Sequence, residues 1–177
     1  MRVTLQRATP DNTLAIVMIR AAVGERLTRD FGQGSWSFTS SEKGVLYSMR
    51  NSNVFVARRS GKIVGVLELG IKKPWAIDKS YFSRCQRPLY LTGMAVTPEL
   101  QRRGLGRAML QDVRRIARAW PADAIRLDAY DATAGAGEFY VKCGFQEMGR
   151  VTYRKAPLIY YEMLLPPIVL AKRRADF

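Results

Sequence analysis

The segment Gln101-Arg102-Arg103-Gly104-Leu105-Gly106-Arg107-Ala108 sets two glycines two positions apart, between a predicted strand and a predicted helix. Glycine lets the backbone approach a ligand closely and adopt dihedrals closed to other residues. A helix starting there offers unpaired N–H groups and a positive partial charge, a combination suited to a pyrophosphate. Arg102, Arg103 and Arg107 add full charges beside it. On these residues alone, a tight turn with solvated arginines is the alternative. Two familiar phosphate loops are excluded. A Rossmann loop needs glycine three residues after Gly106, where Met109 stands. A Walker loop needs Gly-Lys-Ser/Thr, and the only Gly-Lys, at Gly61-Lys62, is followed by Ile63.

The 177 residues include no histidine. That removes Ser–His–Asp triads, Cys–His pairs and His-ligated metals. Cys85 and Cys143 are too few for a zinc site or a disulfide framework, and are expected as two reduced thiols. No metal is expected. Lys plus Arg number 29 against 15 Asp plus Glu, a net charge of +14. Such an excess favours anionic partners: nucleic acid, phosphorylated cofactors or acidic proteins. Residues 1–5 carry no long apolar run, so no secretory signal is expected. No stretch approaches the roughly 18 apolar residues of a membrane span; the best candidate, 157–171, is broken by Glu162 and Pro166-Pro167. A cytoplasmic protein without a membrane partner is expected.

The elements that must position the glycine turn follow from periodicity and punctuation. Residues 3–7 alternate as a strand. Thr9 and Pro10 start a helix, as N-cap and first helical residue; Leu14, Val17, Met18, Ala21 and Ala22 mark its apolar face through about Arg26. A loop over 31–39 leads to a helix over 41–50. The runs 54–57 and 63–71, joined by 58–62, predict a hairpin. An aromatic insertion over 74–88 precedes a strand over 89–96. A helix over 104–120 stops before Pro121. A strand over 125–129, a short helix over 135–143 capped by Gly144, and a strand pair over 145–153 and 158–165 complete the chain. The order β-α-α-β-β-β-α-β-α-β-β predicts an α/β (α+β) fold with a central mixed sheet flanked by helices. Length and pattern predict one domain over 1–165 and a basic C-terminal tail over 166–177.

The stretch Val96-Thr97-Pro98-Glu99-Leu100-Gln101-Arg102-Arg103-Gly104-Leu105-Gly106 resembles the acyl-CoA signature of the GCN5-related N-acetyltransferases (GNAT), Q/R-x-x-G-x-G/A. Phe139-Tyr140-Val141-Lys142-Cys143-Gly144-Phe145 resembles the family's F-Y-x-x-x-G-F stretch. The element order agrees over about residues 3–165. The resemblance implies an acetyl-CoA-dependent transfer of an acetyl group to a primary amine, with acetyl-CoA as cosubstrate. It implies that Arg102, Arg103, Gly104, Leu105, Gly106, Arg107 and Ala108 hold the pyrophosphate, mostly through backbone N–H groups. It implies that Met94, Ala95 and Val96 run along the pantetheine arm, and that Gly93 marks a bulge opening the sheet for the thioester. Asp131 stands where the family often has an asparagine touching pantetheine.

Tyr140 is the expected general acid: a phenol with pKa near ~10 can protonate a departing thiolate of pKa around ~8.5. Its alternative is a core aromatic beside Phe139. The base is open. An acceptor amine of pKa near ~10.4 must lose a proton, and residues 89–97 carry no carboxylate. Glu68 is the candidate: shielded in a central strand with a raised pKa it would serve as a base, while a glutamate that emerges near the strand end is the alternative. Asp128 and Glu99 are weaker ones, and a water-mediated base stays open.

Helix 104–120 sets Arg103, Arg107, Arg114 and Arg118 within a stripe of roughly 60°. Leu105, Met109, Val113, Ile116 and Trp120 lie opposite, facing the sheet. The stripe is a solvated face or an anionic-ligand surface; Lys142 could reach the CoA 3′-phosphate. Trp36, Trp75 and Tyr81, with Phe31 and Phe82, are candidates for the acceptor side or caps of the core. The acceptor is a small-molecule or protein amine; few loop carboxylates disfavour a polycation. A non-catalytic acyl-CoA-binding module and an acetyltransferase acting on an acidic or nucleic-acid-bound partner are the alternatives; nucleic-acid binding alone is not favoured. A homodimer is left open.

Overall fold

The computed structural model describes residues 3–38 and 40–166. The tail expected over 166–177 lies, apart from Pro166, outside the described residues. Seven strands form one sheet in the order β1-β2-β3-β4-β5-β7-β6. They are β1 (Thr4–Arg7), β2 (Asn53–Arg59), β3 (Lys62–Gly70), β4 (Pro88–Val96), β5 (Ala124–Tyr130), β6 (Gln146–Tyr153) and β7 (Ala156–Leu164). All pairings are antiparallel except β4 with β5. The helices are α1 (Thr13–Phe31), α2 (Glu42–Asn51), α3 (Leu105–Ala119) and α4 (Gly137–Lys142).

Alternation along the strands divides the core. Phe55, Leu67, Leu89, Leu91, Ile125, Leu127, Ile159 and Tyr161 point to the face covered by α3 and α4. Val54, Val56 and Val66 point to the other face, against Ile16 and Ile19 of α1 and Val45 of α2. Beyond β4, that second face is covered by the insertion 71–87, whose Ile77 and Phe82 pack on Tyr90 and Tyr160. Two lids therefore share one face, and their border runs over β4 and β5.

Helix α1 departs from the sequence expectation. It runs to Phe31, with Gly32 following at φ +80°. The residues expected to face the core include Leu14 and Met18, which are 59% and 63% exposed. Ile16 and Ile19 are buried instead. Residues 14–19 are apolar around the whole helix, so periodicity does not fix the rotation. The helix is turned so that Arg20, one turn beyond Ile16, reaches Glu68 of β3 at 2.6 Å. Thr9 does precede the first turn, but 3-10 geometry occupies Pro10–Asn12 before the α-helix begins.

Helix α3 matches its expected amphipathicity, burying Leu105, Met109, Leu110, Val113 and Ala117. Its buried Asp112 accepts the N–H of Leu5 at 2.9 Å, tying the helix to the edge strand β1. The β6–β7 hairpin turns through Arg154 and Lys155, at φ +47° and +69°. Two consecutive non-glycine residues in that region cost about 1 kcal/mol or more each. An asparagine–glycine pair adopts the same dihedrals with little strain. Combining Arg154→Asn with Lys155→Gly is therefore expected to raise stability by about 1 kcal/mol. An unchanged or lower unfolding free energy in denaturant would contradict this.

Candidate active site

The glycine turn forms a cradle. Arg102 and Gly104 both have positive φ, +58° and +79°, while Arg103 between them does not. Alternation of this kind turns successive N–H groups toward one side and makes an anion-binding concavity. The left-handed state costs a non-glycine residue about 1–2 kcal/mol, and such strain concentrates at ligand clamps. Gly104 is the N-cap of α3, so the concavity opens onto the positive end of a 15-residue helix. Arg102, Arg103 and Gly104 are exposed and Leu105 anchors the turn in the core.

A groove of about 310 Å³ continues from the cradle, lined by Arg107, Leu110, Gln111, Arg114, Lys142, Cys143 and Gly144. Lys142 also pairs with Glu138 at 3.1 Å on the surface. Three cations from two helices thus converge on one groove.

Next to the cradle the sheet parts. Strands β4 and β5 pair only through Pro88–Tyr90 and Ala124–Arg126. From Leu91 onward β4 has only β3 as a partner, so Met94, Ala95 and Val96 lie on a strand edge turned toward the open seam. The β3–β4 register skips a residue between Val66–Ala95 and Glu68–Thr92. Gly93 lies in this bulge at φ +57°. A bulge there bends β4 away from β5. The open edge can add an extended ligand by strand-like hydrogen bonds, and pantetheine, with its two amides, fits that pattern.

Tyr140 stands on α4, buried and in contact with Phe139, Phe145 and Tyr161 of β7. Phe139 reaches the cradle: a Cβ at Gly106 would lie 3.0 Å from its ring and 3.5 Å from the Met94 methyl. Burial first, then the charges of Asp128 and Cys143, push the Tyr140 phenol well above its ordinary value. Its hydroxyl has no hydrogen-bond partner among the described residues. Asp128 itself is raised above the ordinary carboxylate range by burial.

Glu68 is shielded, as its strand position implies, but it is not bare. Arg20 donates to Oε1 at 2.6 Å and Ser52 to Oε2 at 2.8 Å. The pair sits against the bulge, with a Gly93 Cβ position 3.0 Å from Arg20 Nη2 and 3.5 Å from Glu68 Oε1. Asp131 receives a forked contact from Arg150 at 2.7 and 2.9 Å, so its carboxylate is engaged by β6. Trp36 is placed beside the seam, edge-on to Tyr130 at 5.4 Å, with its indole N–H bonded to Gly32 O. Tyr81 packs on Tyr160 at 5.4 Å and on Gly149, on the insertion side. Trp75 is 87% exposed. Phe82 caps the core, with the Arg126 guanidinium 4.9 Å from its ring centre. Among the described residues no His/Cys/Asp/Glu group could hold a metal ion, and no helix is long and apolar enough to cross a membrane.

The family model for the GNAT acetyltransferases matches residues 21–145, which contain the cradle, the bulge, the seam and Tyr140. The chain belongs to this family. No curated protein sequence matches it significantly. The ribosomal-protein-S18-alanine N-acetyltransferase of Escherichia coli is 18% identical, with TM-score 0.67, over 99% of this chain and 100% of that one. The Streptococcus mutans protein smu.2055 superposes with TM-score 0.70 at 19% identity, over 93% and 99% of the two chains. The Salmonella typhimurium protein yncA, solved with acetyl-CoA, gives 0.64 at 20% identity, over 93% and 94%. These likenesses establish the GNAT fold. The family's enzymes use acetyl-CoA, and they acetylate amine acceptors.

Proposed function

We propose that this GNAT chain transfers the acetyl group of acetyl-CoA to a primary amine of a small molecule or a protein, by direct attack of the amine on the thioester. The observation that carries the reading is the conjunction of a nest-like cradle on the α3 N-terminus with a β4–β5 seam that opens beside it. In this reading residues 102–108 hold the pyrophosphate. Arg107, Arg114 and Lys142 receive the 3′-phosphate in the adjoining groove, and the edge of Met94, Ala95 and Val96 receives the pantetheine amides. That puts the thioester at the Gly93 bulge, within the span between Tyr140 and the lid border. Tyr140 supplies a proton to the departing thiolate.

The acceptor enters from the face shared by α1, α2 and the insertion. Trp36 and Tyr81 stand on opposite sides of that border, and Trp75 sits on the exposed rim of the insertion. The Arg20–Glu68 pair forms its inner wall. Asp131 would meet pantetheine only by sharing or giving up its contact with Arg150.

Acetyl-CoA titrated calorimetrically into the protein is expected to bind with one site per chain. Gly106→Leu is expected to weaken that binding at least about tenfold, because a Cβ there already lies 3.0 Å from the Phe139 ring and the rest of a leucine side chain must displace it. Unaltered affinity in Gly106→Leu would refute the cradle. Dephospho-CoA is expected to bind about tenfold more weakly than CoA, from loss of the charged contacts in the groove; equal affinities would remove Arg107, Arg114 and Lys142 from the site.

A further inference from the structure

We infer that Asp128, not Glu68, is the catalytic base that takes the acceptor's proton; this rests on the acetyltransferase reading above. The strand registers place it. Tyr90 pairs with Arg126 across the last closed step between β4 and β5. Two residues further along each strand stand Thr92 and Asp128, on the same face and at the same level, but now across the open seam. Thr92 pairs with Glu68 on β3, and Asp128 pairs with Tyr160 on β7. Glu68, Thr92, Asp128 and Tyr160 therefore form one row across the sheet. The row faces the border between the two lids, and the seam and the Gly93 bulge interrupt it at its centre.

The two carboxylates of this row differ in what holds them. Both oxygens of Glu68 are occupied, by Arg20 and by Ser52. Asp128 forms no salt bridge and no hydrogen bond to another residue's side chain among the described residues. The other shielded carboxylates are all held: Asp112, Asp131 and Glu162 by an arginine each, and Asp123 by the N–H groups of Gln86 and Arg87. A shielded, unpaired carboxylate beside an open seam is matched by one kind of ligand group, a cation, and the acceptor arrives as an ammonium ion. The charged and titratable groups around it are Tyr140 on α4, Tyr160 on β7, and the Arg20–Glu68 pair across the seam. Its charge also adds to the upward shift of both tyrosines. Burial raises Asp128 itself, which makes it a stronger base than a solvated carboxylate.

The proton balance closes. The ammonium gives one proton to Asp128, and the freed nitrogen lone pair forms the C–N bond with the thioester carbonyl carbon. The C–S bond then breaks, and the sulfur takes the Tyr140 proton. The second nitrogen proton returns to the Tyr140 oxygen through water, and Asp128 releases its own to solvent. One amide, one CoA thiol and one proton result.

The test follows thiol release from acetyl-CoA by the full-length protein, with a panel of hexapeptides of differing first residue, a lysine peptide and spermidine as probes. Asp128→Asn is expected to lower amine-dependent turnover about 100-fold at pH 7. The loss is expected to shrink to less than about tenfold near pH 10, where the amine sheds its own proton. Acetyl-CoA affinity and melting temperature should stay at wild-type values, and Asp128→Ala should repeat the pattern. Wild-type turnover in Asp128→Asn, or a loss that stays constant with pH, would overturn the assignment. A wild-type protein that binds acetyl-CoA but acetylates no probe would instead contradict the acetyltransferase reading, and this assignment with it.

Discussion

Tyr140→Phe is expected to lower amine-dependent turnover about 10³-fold while acetyl-CoA affinity changes less than about twofold. General-acid removal typically costs roughly 10²–10⁴-fold. The asymmetry arises because the Tyr140 ring is packed among Phe139, Phe145 and Tyr161, a setting that phenylalanine reproduces. Only the oxygen is lost, and that oxygen bonds to nothing in the protein among the described residues. Burial and the Asp128 charge hold the phenol protonated above its ordinary value. In the pH–rate profile, a falling limb from loss of this proton is therefore expected only above pH ~10. The stability sign follows. The unfolded tyrosine releases its proton near ~10, and the folded one holds it to higher pH. The stabilising difference is complete below ~10 and is lost as pH rises through the folded value. Tyr140→Phe is expected to lack that alkaline loss in denaturant titrations. Equal turnover in the variant would remove Tyr140 from the chemistry.

Arg126→Met is expected to destabilise the protein by about 3–5 kcal/mol, the usual cost of leaving a buried charge without its partner. The Arg126 and Glu162 side chains are 4% and 2% exposed and meet at 2.8 Å. Arg126 also donates to Ser83 O, and Glu162 accepts the Ser83 N–H at 3.2 Å. The pair therefore both bridges β5 to β7 and clamps the insertion over the sheet. With Glu162→Leu added, the unpaired carboxylate disappears and much of the loss is expected to return. Urea unfolding of the two variants checks both values. A single-variant loss below about 1 kcal/mol would mean that the clamp contributes little.

The sequence carries the parts of this fold that are local. The β-branched runs, Pro98, Gly104 and Gly144 bound strands and helices that the structure reproduces within a few residues. The Gly104–Gly106 spacing marks the cradle, because a close-approach turn before a helix is a local property. The rotation of α1 is not local: residues 14–19 are apolar all round, and the choice was made by Arg20 meeting Glu68, 48 positions away. The parting of β4 and β5 is a property of pairing and leaves no mark on either strand alone beyond Gly93. Nor does arginine's side chain announce the positive φ of Arg102. The base shows the same limit. Glu68 and Asp128 both read as carboxylates in apolar strands. The two become distinguishable only once Arg20 and Ser52 are seen on Glu68 and the seam is seen beside Asp128.

The most direct test of the central claim is a paired measurement on the wild-type protein, with acetyl-CoA and the amine panel. Thiol release and acetylated product are quantified in the same reaction, the product by mass spectrometry. At least one probe is expected to yield thiol and N-acetyl product in equal amounts. Both signals are expected to fall together in Gly106→Leu. Acetyl-CoA binding without product from any probe would contradict it and mark the chain as a binding module of the family.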